Sequence, residues 1–372
     1  MYTKLLSIAI ITCLATSCKT NKTITKPAST SFYIGTVTNK GFSTSQGIYQ
    51  SSISTEGKLS SIELLADTDN PSYLAKTSNQ DYLISTNSGG KIGLSSFKIG
   101  ENQLTAINTS ETGKSPCYVS TQNGYVLNAN YGDGTIDLHT IDKNGKLSSI
   151  LDTQKHTYST PSSHKRQKKA FAHSCYFEPN SNNIIAIDLG ANKILFSSIN
   201  KQTNKFVPNA FNELELPKNS GPRLLSYHPT LPVFYVVNEL NATVSVIAKN
   251  IQENTYSILE TVPTLPAGFD VNTNTAAHIE ITKDGKFLYM SNRGHDSISV
   301  FSVAQNGTLT FVERVSVQGK HPRNFSLSTD NQFLVVANRD TNNICSFKRD
   351  VKSGKLTFVD EIEALRATCI LF

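Results

Sequence analysis

Charged side chains that could bind an anion or polarise an ester stand at matching places in a repeated pattern of this sequence. Arg223 and Glu239 flank one copy, and Arg323 and Arg339 flank another, each pair 16 residues apart. Because the two ends of one hairpin lie side by side, we expect these positions to form a ring on one face of the fold. The predicted ring comprises Ser72/Ser88, Cys117/Tyr131, His173/Leu189, Arg223/Glu239, Ala277/Arg293 and Arg323/Arg339.

The charged half of this ring is suited to a carboxylate, a phosphate or a developing oxyanion. Arginine guanidinium groups bind such oxygens through two parallel hydrogen bonds. Glu239 beside arginines would stay ionised, which fits it either to hold them in place or to act as a base. His173 is the other candidate base. Taken singly, each of these residues is commonly structural or solvated, so the shared register is the observation that indicates a site.

The elements that must position these residues are short strands in a unit that recurs six times. The units begin near Pro71, Pro116, His173, Pro222, Ala277 and Pro322. Their apolar runs alternate at period two, and Asn-Gly and Asp-Gly dipeptides between them favour tight hairpins. After the first twenty residues no window shows sustained helical periodicity. A repeated unit of about four antiparallel strands predicts an all-β propeller.

A seventh blade is predicted from the two ends of the chain. Residues 365–372 resemble a first strand with nothing after it, whereas residues 32–37, 47–53 and 59–65 resemble a second, third and fourth strand. Joining them closes the ring and removes the exposed edges of an open sheet. We therefore predict one seven-bladed domain over residues 31–372, closed by N- and C-terminal strands in one blade.

The first thirty residues predict export. A Lys followed by a short apolar stretch is typical of a signal peptide, and the Leu-Ala-Thr-Ser-Cys sequence ending at Cys18 resembles a bacterial lipobox. We interpret residues 1–17 as a lipoprotein signal peptide, Cys18 as the lipidated residue and residues 18–30 as a tether. The expected location is the bacterial cell envelope, facing the periplasm, with membrane contact only through the lipid. An ordinary secretory signal with an incidental cysteine is the alternative.

Composition excludes other classes of function. The net charge is +6 over 372 residues, there is no Trp, and no face interleaves aromatic and basic residues, so nucleic acid is not an expected partner. No Cys-x-x-Cys pair is present, so neither zinc nor another metal or cofactor is predicted. Buried thiols on inner strands are expected rather than disulfides, and we expect a monomer. The four cysteines after the leader are Cys117, Cys175, Cys345 and Cys369.

A basic segment over residues 164–169 precedes His173 at the predicted functional rim. We interpret it as a solvated loop. The functional alternative is that it attracts an anionic substrate to the channel mouth.

Several motifs closely resemble those of the seven-bladed β-propeller lactonase family, which includes propeller-type 6-phosphogluconolactonase and carboxymuconate cyclase. They are residues 33–36, Ala-His-Ser at 172–174, Gly-Pro-Arg at 221–223 with Asn-Glu-Leu at 238–240, and residues 292–301. The resemblance covers nearly all of the chain after the tether. It implies an active site of His173, Arg223, Glu239 and Arg293, four residues that the predicted ring also contains.

The surrounding positions depart from the family pattern. Phe171 stands where a second His is common, His278 where many members have Glu, and Ser88 where the first blade commonly has Glu. The particular substrate is therefore open, and we expect it to be bound by Arg323, Arg339, His278 and Tyr131. The predicted function is hydrolysis of a small-molecule sugar lactone by a carboxylic-ester hydrolase. A non-catalytic propeller that binds carbohydrate or protein in the envelope, and a lactone-forming cyclase, are the alternatives.

Overall fold

Short alternating runs separated by tight turns fold into hairpins throughout the chain. The computed structural model describes residues 29–38, 44–158, 162 and 164–372. Turn residues with positive φ, such as Gly145, Gly285 and Gly307, occur where the Asn-Gly and Asp-Gly dipeptides predicted tight hairpins. In the described residues the only helical element is a single 3-10 turn, Val271–Thr273. The all-β prediction is confirmed.

Seven four-stranded antiparallel sheets form the blades of a propeller. The strands of the first four blades, from inner to outer, are β4 (Pro71–Lys76), β5 (Tyr82–Asn87), β6 (Gly93–Ile99), β7 (Leu104–Ser110); β8 (Pro116–Gln122), β9 (Tyr125–Asn130), β10 (Thr135–Thr140), β11 (Asp152–Lys155); β12 (Ala172–Phe177), β13 (Asn183–Asp188), β14 (Lys193–Asn200), β15 (Lys205–Glu215); and β16 (Pro222–Tyr227), β17 (Val233–Asn238), β18 (Thr243–Asn250), β19 (Thr255–Pro263). Those of the last three are β20 (Thr275–Ile281), β21 (Phe287–Arg293), β22 (Ser297–Val303), β23 (Leu309–Ser316); β24 (Pro322–Leu327), β25 (Phe333–Asn338), β26 (Asn343–Arg349), β27 (Leu356–Glu363); and β28 (Ala367–Leu371), β1 (Ser29–Thr36), β2 (Gly47–Ser54), β3 (Glu63–Asp67).

The last blade joins the two ends of the chain, as predicted. β28 is its innermost strand and pairs antiparallel with β1, with Tyr33 opposite Leu371. Two boundaries differ from the prediction. β1 already begins at Ser29, within the segment assigned to the tether, and the fourth strand begins only at Glu63, because Leu59 makes an isolated bridge to Ile53 instead of extending it.

The core lies between the faces of neighbouring blades, which pack their apolar side chains against one another. Phe196 of β14 and Tyr256 of β19, for example, stack with ring centroids 4.0 Å apart. The innermost strands contact their neighbours all round the ring. Tyr73, Tyr118 and Tyr176 pack in succession across the channel side of three blades, with centroid distances of 4.5 and 4.9 Å.

Every innermost strand carries a β-bulge near its start, directly after its first paired residue in six blades and after the second in β20. In β16, for example, Pro222 pairs with Asn238 and Leu224 with Val237, so that Arg223 has no partner. A bulge re-aims the extra side chain out of the sheet's alternation. The first unpaired residues of the seven bulges are Ser72, Cys117, His173, Arg223, Ala277, Arg323 and Thr368.

The four cysteines after the leader are free thiols, and Cys175, Cys345 and Cys369 are buried as expected, whereas Cys117 is partly exposed. Cys117, Cys175 and Cys369 lie on innermost strands as predicted, whereas Cys345 lies on β26, the third strand of its blade. No helix among the described residues is long and apolar enough to cross a membrane.

The closing strand should contribute to stability as core residues do. Ile370 of β28 is 3% exposed, so Ile370→Ala should lower the free energy of unfolding by roughly 2–4 kcal/mol, because it removes buried methyl groups and leaves a cavity. Ile251, 64% exposed, is the matched control, and its replacement by Ala should change stability by less than about 0.5 kcal/mol. Urea unfolding of both variants measures the difference. Equal effects would show that β28 is not part of the closed ring.

Candidate active site

The bulges bring most of the predicted ring to one cavity at the mouth of the channel. The cavity has a volume of about 550 Å³. Five of the seven first bulge residues line it, together with the residues that follow the paired Asn or Asp on the neighbouring strands. Its lining consists of Val37, Asn70, Ser72, Ser88, Ser115, Pro116, Cys117, Tyr131, Arg166, His173, Arg223, Glu239, Arg293, Arg323 and Arg339.

Glu239 is the centre of the charged half of this cavity. The residue follows the end of β17, and its backbone N–H donates to the Gly221 carbonyl, which sets it beside the bulge of β16. Its Oε1 lies 3.0 Å from Arg293 Nη2, and its Oε2 lies 2.9 Å from Arg223 Nε. Arg166 Nη1 also donates to Oε1. His173 Nε2 is 3.9 Å from Oε2.

The arginines decide the protonation state of Glu239. Burial by itself would raise the pKa of this carboxyl, but Arg293, Arg223 and Arg166 together hold the pKa well below its usual range. Glu239 is therefore ionised near neutral pH. Its carboxylate is paired with these arginines and serves to orient them.

The environment has the opposite effect on His173, which stays neutral. Burial lowers the pKa of its imidazole well below the usual value, and Arg223 lowers it further, while Glu239 opposes both. The ring is 6% exposed, with Nδ1 4.0 Å from the sulfur of Cys117. Burial raises the pKa of that thiol to about 12, so Cys117 is not a thiolate near neutral pH. A neutral imidazole in the cavity wall can accept a proton from a bound water.

The two main arginines are fixed by backbone carbonyls as well as by Glu239. Arg223 Nη1 donates to the Ala277 carbonyl at 2.6 Å. Arg293 donates from Nε to the Thr275 carbonyl at 3.2 Å and from Nη2 to the Ala276 carbonyl at 3.0 Å. Both side chains are almost fully buried, so their orientation is set before any ligand arrives.

Arg323 and Arg339 extend the positive wall, and Tyr131 completes it. Burial and three neighbouring arginines lower the pKa of Arg323 to about 9, and no hydrogen bond or ion pair joins it to another described residue. Arg339 is held at the rim by Asp340, with Nε 2.7 Å from Oδ1. Tyr131 stacks on Phe171 with ring centroids 4.7 Å apart. Among the arginines that line the cavity, Arg323 is therefore the one whose charge is not paired with an acidic side chain of the described residues.

Two predicted ring members, Leu189 and Ala277, and the predicted substrate-binding residue His278 do not line the cavity. Leu189 and Ala277 are fully buried, and their side chains carry no polar group. We expect His278 to bind substrate, but the bulge in β20 holds Ala277 and His278 opposite the single Ser291, and neither side chain lines the cavity. The Nδ1 of His278 bonds to Asn324 Nδ2 at 3.0 Å, and its ring packs edge-on against Phe325.

Arg166 lines the cavity although the sequence does not single it out. The prediction of a solvated loop for its segment is wrong for two residues, since Arg166 lies in the cavity wall and Gln167 is 1% exposed. Lys165 and Lys168 are exposed as expected. The sequence feature that points to this segment is the basic run just before His173. That run does not indicate which of its cations lines the cavity.

The described residues contain no group of three or more His, Cys, Asp or Glu side chains that could hold a metal ion. The chemistry open to this cavity from its own side chains is binding of an anion, stabilisation of an oxyanion and proton transfer through a neutral histidine.

Comparison with known proteins identifies the family of the chain. The sequence model of the family described as "Lactonase, 7-bladed beta-propeller" matches residues 31–372. The 6-phosphogluconolactonase of Bacillus subtilis (strain 168) is 36% identical over 341 residues, which cover 88% of this chain and 93% of that protein. Among solved structures, a protein from Lactobacillus plantarum superposes with a TM-score of 0.86 at 30% identity, covering 92% of this chain and 99% of that one. The Pseudomonas aeruginosa periplasmic gluconolactonase PpgL superposes with a TM-score of 0.85 at 26% identity, covering 92% and 98%. The chain therefore belongs to the seven-bladed β-propeller lactonase family.

Proposed function

We propose that this protein hydrolyses a sugar lactone in the cavity at the channel mouth. The observation that carries the proposal is the convergence of Arg223, Arg293 and His173 on the single carboxylate of Glu239, in a chain of the lactonase family. This arrangement offers fixed positive charge beside a neutral base, which hydrolysis of an ester requires.

His173 acts as the general base that activates water. Its imidazole takes a proton from the water as the oxygen attacks the lactone carbonyl carbon. The ionised Glu239, 3.9 Å from Nε2, stabilises the imidazolium that forms. Because Glu239 remains ionised, it does not accept the proton. The proton therefore stays on His173 until it is transferred to the leaving oxygen.

Arg223 and Arg293 stabilise the oxyanion of the tetrahedral intermediate. Both are pre-oriented and buried, so their charge acts in a low-dielectric setting without reorganisation. The intermediate collapses with cleavage of the ring C–O bond, and the imidazolium returns its proton to the departing alkoxide. The product is an open-chain hydroxy acid whose carboxylate lies against the same arginines.

The excess of arginines favours substrates that carry or form negative charge. Five arginines and one glutamate line the cavity. A phosphorylated aldonolactone and an unphosphorylated one both meet this description, since each yields a carboxylate on opening. The names of the relatives divide in the same way, one being a 6-phosphogluconolactonase and another a periplasmic gluconolactonase. Assays should therefore compare D-glucono-δ-lactone with its 6-phosphate.

Arg223→Ala should reduce turnover of the preferred lactone by roughly 10²–10³, the scale of one lost oxyanion contact. Arg349→Ala is the matched control, because Arg349 is also buried but donates to the Asn331 carbonyl outside the cavity. That variant should lose stability while keeping its activity per folded molecule. A stopped-flow or pH-stat assay, with thermal melting of each variant, separates the two effects.

Wild-type turnover in Arg223→Ala would place the chemistry elsewhere. A correctly folded wild-type protein with no activity on either lactone would favour the alternative of a binding propeller.

The pH dependence of kcat/KM should reveal the environment of His173. Because burial and Arg223 lower the pKa of this imidazole, the base stays unprotonated as pH falls, and kcat/KM should remain constant from about pH 7.5 to about pH 6. An ordinary histidine would lose half of its activity near its usual pKa of about 6.5. Initial rates in constant-ionic-strength buffers measure the profile, and half-loss at that pH would contradict the assigned role.

We propose that the protein works in the bacterial cell envelope, lipid-anchored and facing the periplasm. The proposal rests on residues 1–17 as a lipoprotein signal peptide and on Cys18, which lie outside the described residues. Cys18→Ala should end lipidation and release the protein from the membrane fraction of cells. Unchanged membrane association of that variant would contradict the lipid anchor.

A further inference from the structure

The segment between β11 and β12 is tied down at both ends by one carboxylate. Asp188 Oδ2 lies 2.8 Å from Nδ1 of His156, at the start of the segment. Asp188 Oδ1 accepts a hydrogen bond of 2.8 Å from the N–H of Phe171, at its end. The His156 and Asp188 side chains are fully buried. Both ends of the segment are therefore held by the blade of β12–β15, which also carries His173.

A second anchor lies directly beside Arg166. Gln167 Nε2 donates to the Leu189 carbonyl at 3.0 Å and to Asn192 Oδ1 at 3.1 Å, and the Tyr158 hydroxyl donates to the Gln167 carbonyl. A buried polar side chain with satisfied hydrogen bonds holds the backbone in one place. The hydrogen bonds of Gln167 therefore position the adjacent Arg166 beside the cavity.

The Arg166 side chain contacts Glu239 but remains partly exposed to solvent. Its Nε and Nη2 donate to the Tyr131 hydroxyl at 3.2 and 2.9 Å, and its Nη1 donates to Glu239 Oε1. Its side chain is 32% exposed, compared with 5% for Arg223 and 7% for Arg293. Of the three arginines around Glu239, Arg166 is the one that an incoming ligand meets first.

Glu239 does not depend on Arg166 for its pairing. Arg293 also contacts Oε1, and Arg223 contacts Oε2, so the carboxylate stays compensated when Arg166 turns away. Arg166 would in turn need a new anionic partner in this cavity. Ring opening of a lactone creates one, because a neutral ester becomes a carboxylate, whose two oxygens fit the fork of a guanidinium.

We propose that Arg166 is a substrate-contacting residue that exchanges Glu239 for the carboxylate of the opened product, and that it sets the affinity of the site for aldonate anions. The inference rests on the proposed function. Arg166 lies outside the hairpins of the propeller. It would contribute to specificity in addition to the four residues that the family resemblance implies. No bond is made or broken in this exchange; one ion pair replaces another.

Arg166→Gln and Lys165→Gln form a matched pair for testing this proposal. Both remove one positive charge from adjacent positions, but Lys165 is exposed and does not line the cavity. Arg166→Gln should weaken inhibition by D-gluconate by about 10–100-fold, the range for one hydrogen-bonded charge, with smaller changes in KM and kcat for the neutral lactone. Lys165→Gln should change each value by less than about twofold, because exposed charges are screened. Arg166→Lys should recover part of the affinity, and thermal melting verifies that all variants fold.

Calorimetric titration with D-gluconate and 6-phosphogluconate separates this inference from the proposed function. If the wild-type protein hydrolyses a lactone but Arg166→Gln and Lys165→Gln bind these anions alike, Arg166 does not have this role and the lactonase proposal stands. If no lactone is hydrolysed, weaker anion binding in Arg166→Gln alone still supports the assignment. Absence of binding of either anion to the wild-type protein would overturn it.

Discussion

The site depends on one backbone constraint: each innermost strand has a β-bulge near its start, within its first two paired residues. A regular antiparallel pair would alternate its side chains between the two blade faces, and both faces are buried. The bulge releases a residue from that alternation, and in five of the seven blades that residue lines the cavity at the channel mouth. Arg223, His173 and Arg323 owe their places in the cavity to this single displacement. The blades supply the scaffold, and the identity of the bulge residue supplies the chemistry.

One carboxylate organises what the bulges assemble. Buried arginines are costly unless they are paired, and Glu239 pairs with the buried Arg223 and Arg293 and with the partly exposed Arg166. The arginines keep Glu239 ionised, while burial together with Arg223 keeps His173 neutral, so the site holds a fixed anion beside a proton acceptor. Arg323 is left without an acidic partner, and the cavity as a whole attracts anions. This excess of positive charge, more than any single distance, favours a substrate whose hydrolysis product is a carboxylate.

Much of this arrangement could be predicted from sequence because it follows from periodicity. The 16-residue spacing located Arg223 and Glu239 at one rim, and the unmatched ends of the chain predicted the closing blade. Bulge geometry could not be predicted, since the two-residue bulge that moves His278 away from the mouth leaves no mark on composition or spacing. Arg166 was missed for a different reason. Its position depends on anchors at Asp188 and Gln167 that act through tertiary contacts, not through a repeat.

The most direct test of the central claim is a crystal structure of the protein with D-gluconate bound. We expect the carboxylate of gluconate to lie within hydrogen-bond distance of Arg223 or Arg293, with His173 beside it and Arg166 turned toward the ligand. Gluconate ordered instead in the cavity beside Tyr227 and His228, at the other end of β16, with no ligand at the mouth, would contradict it.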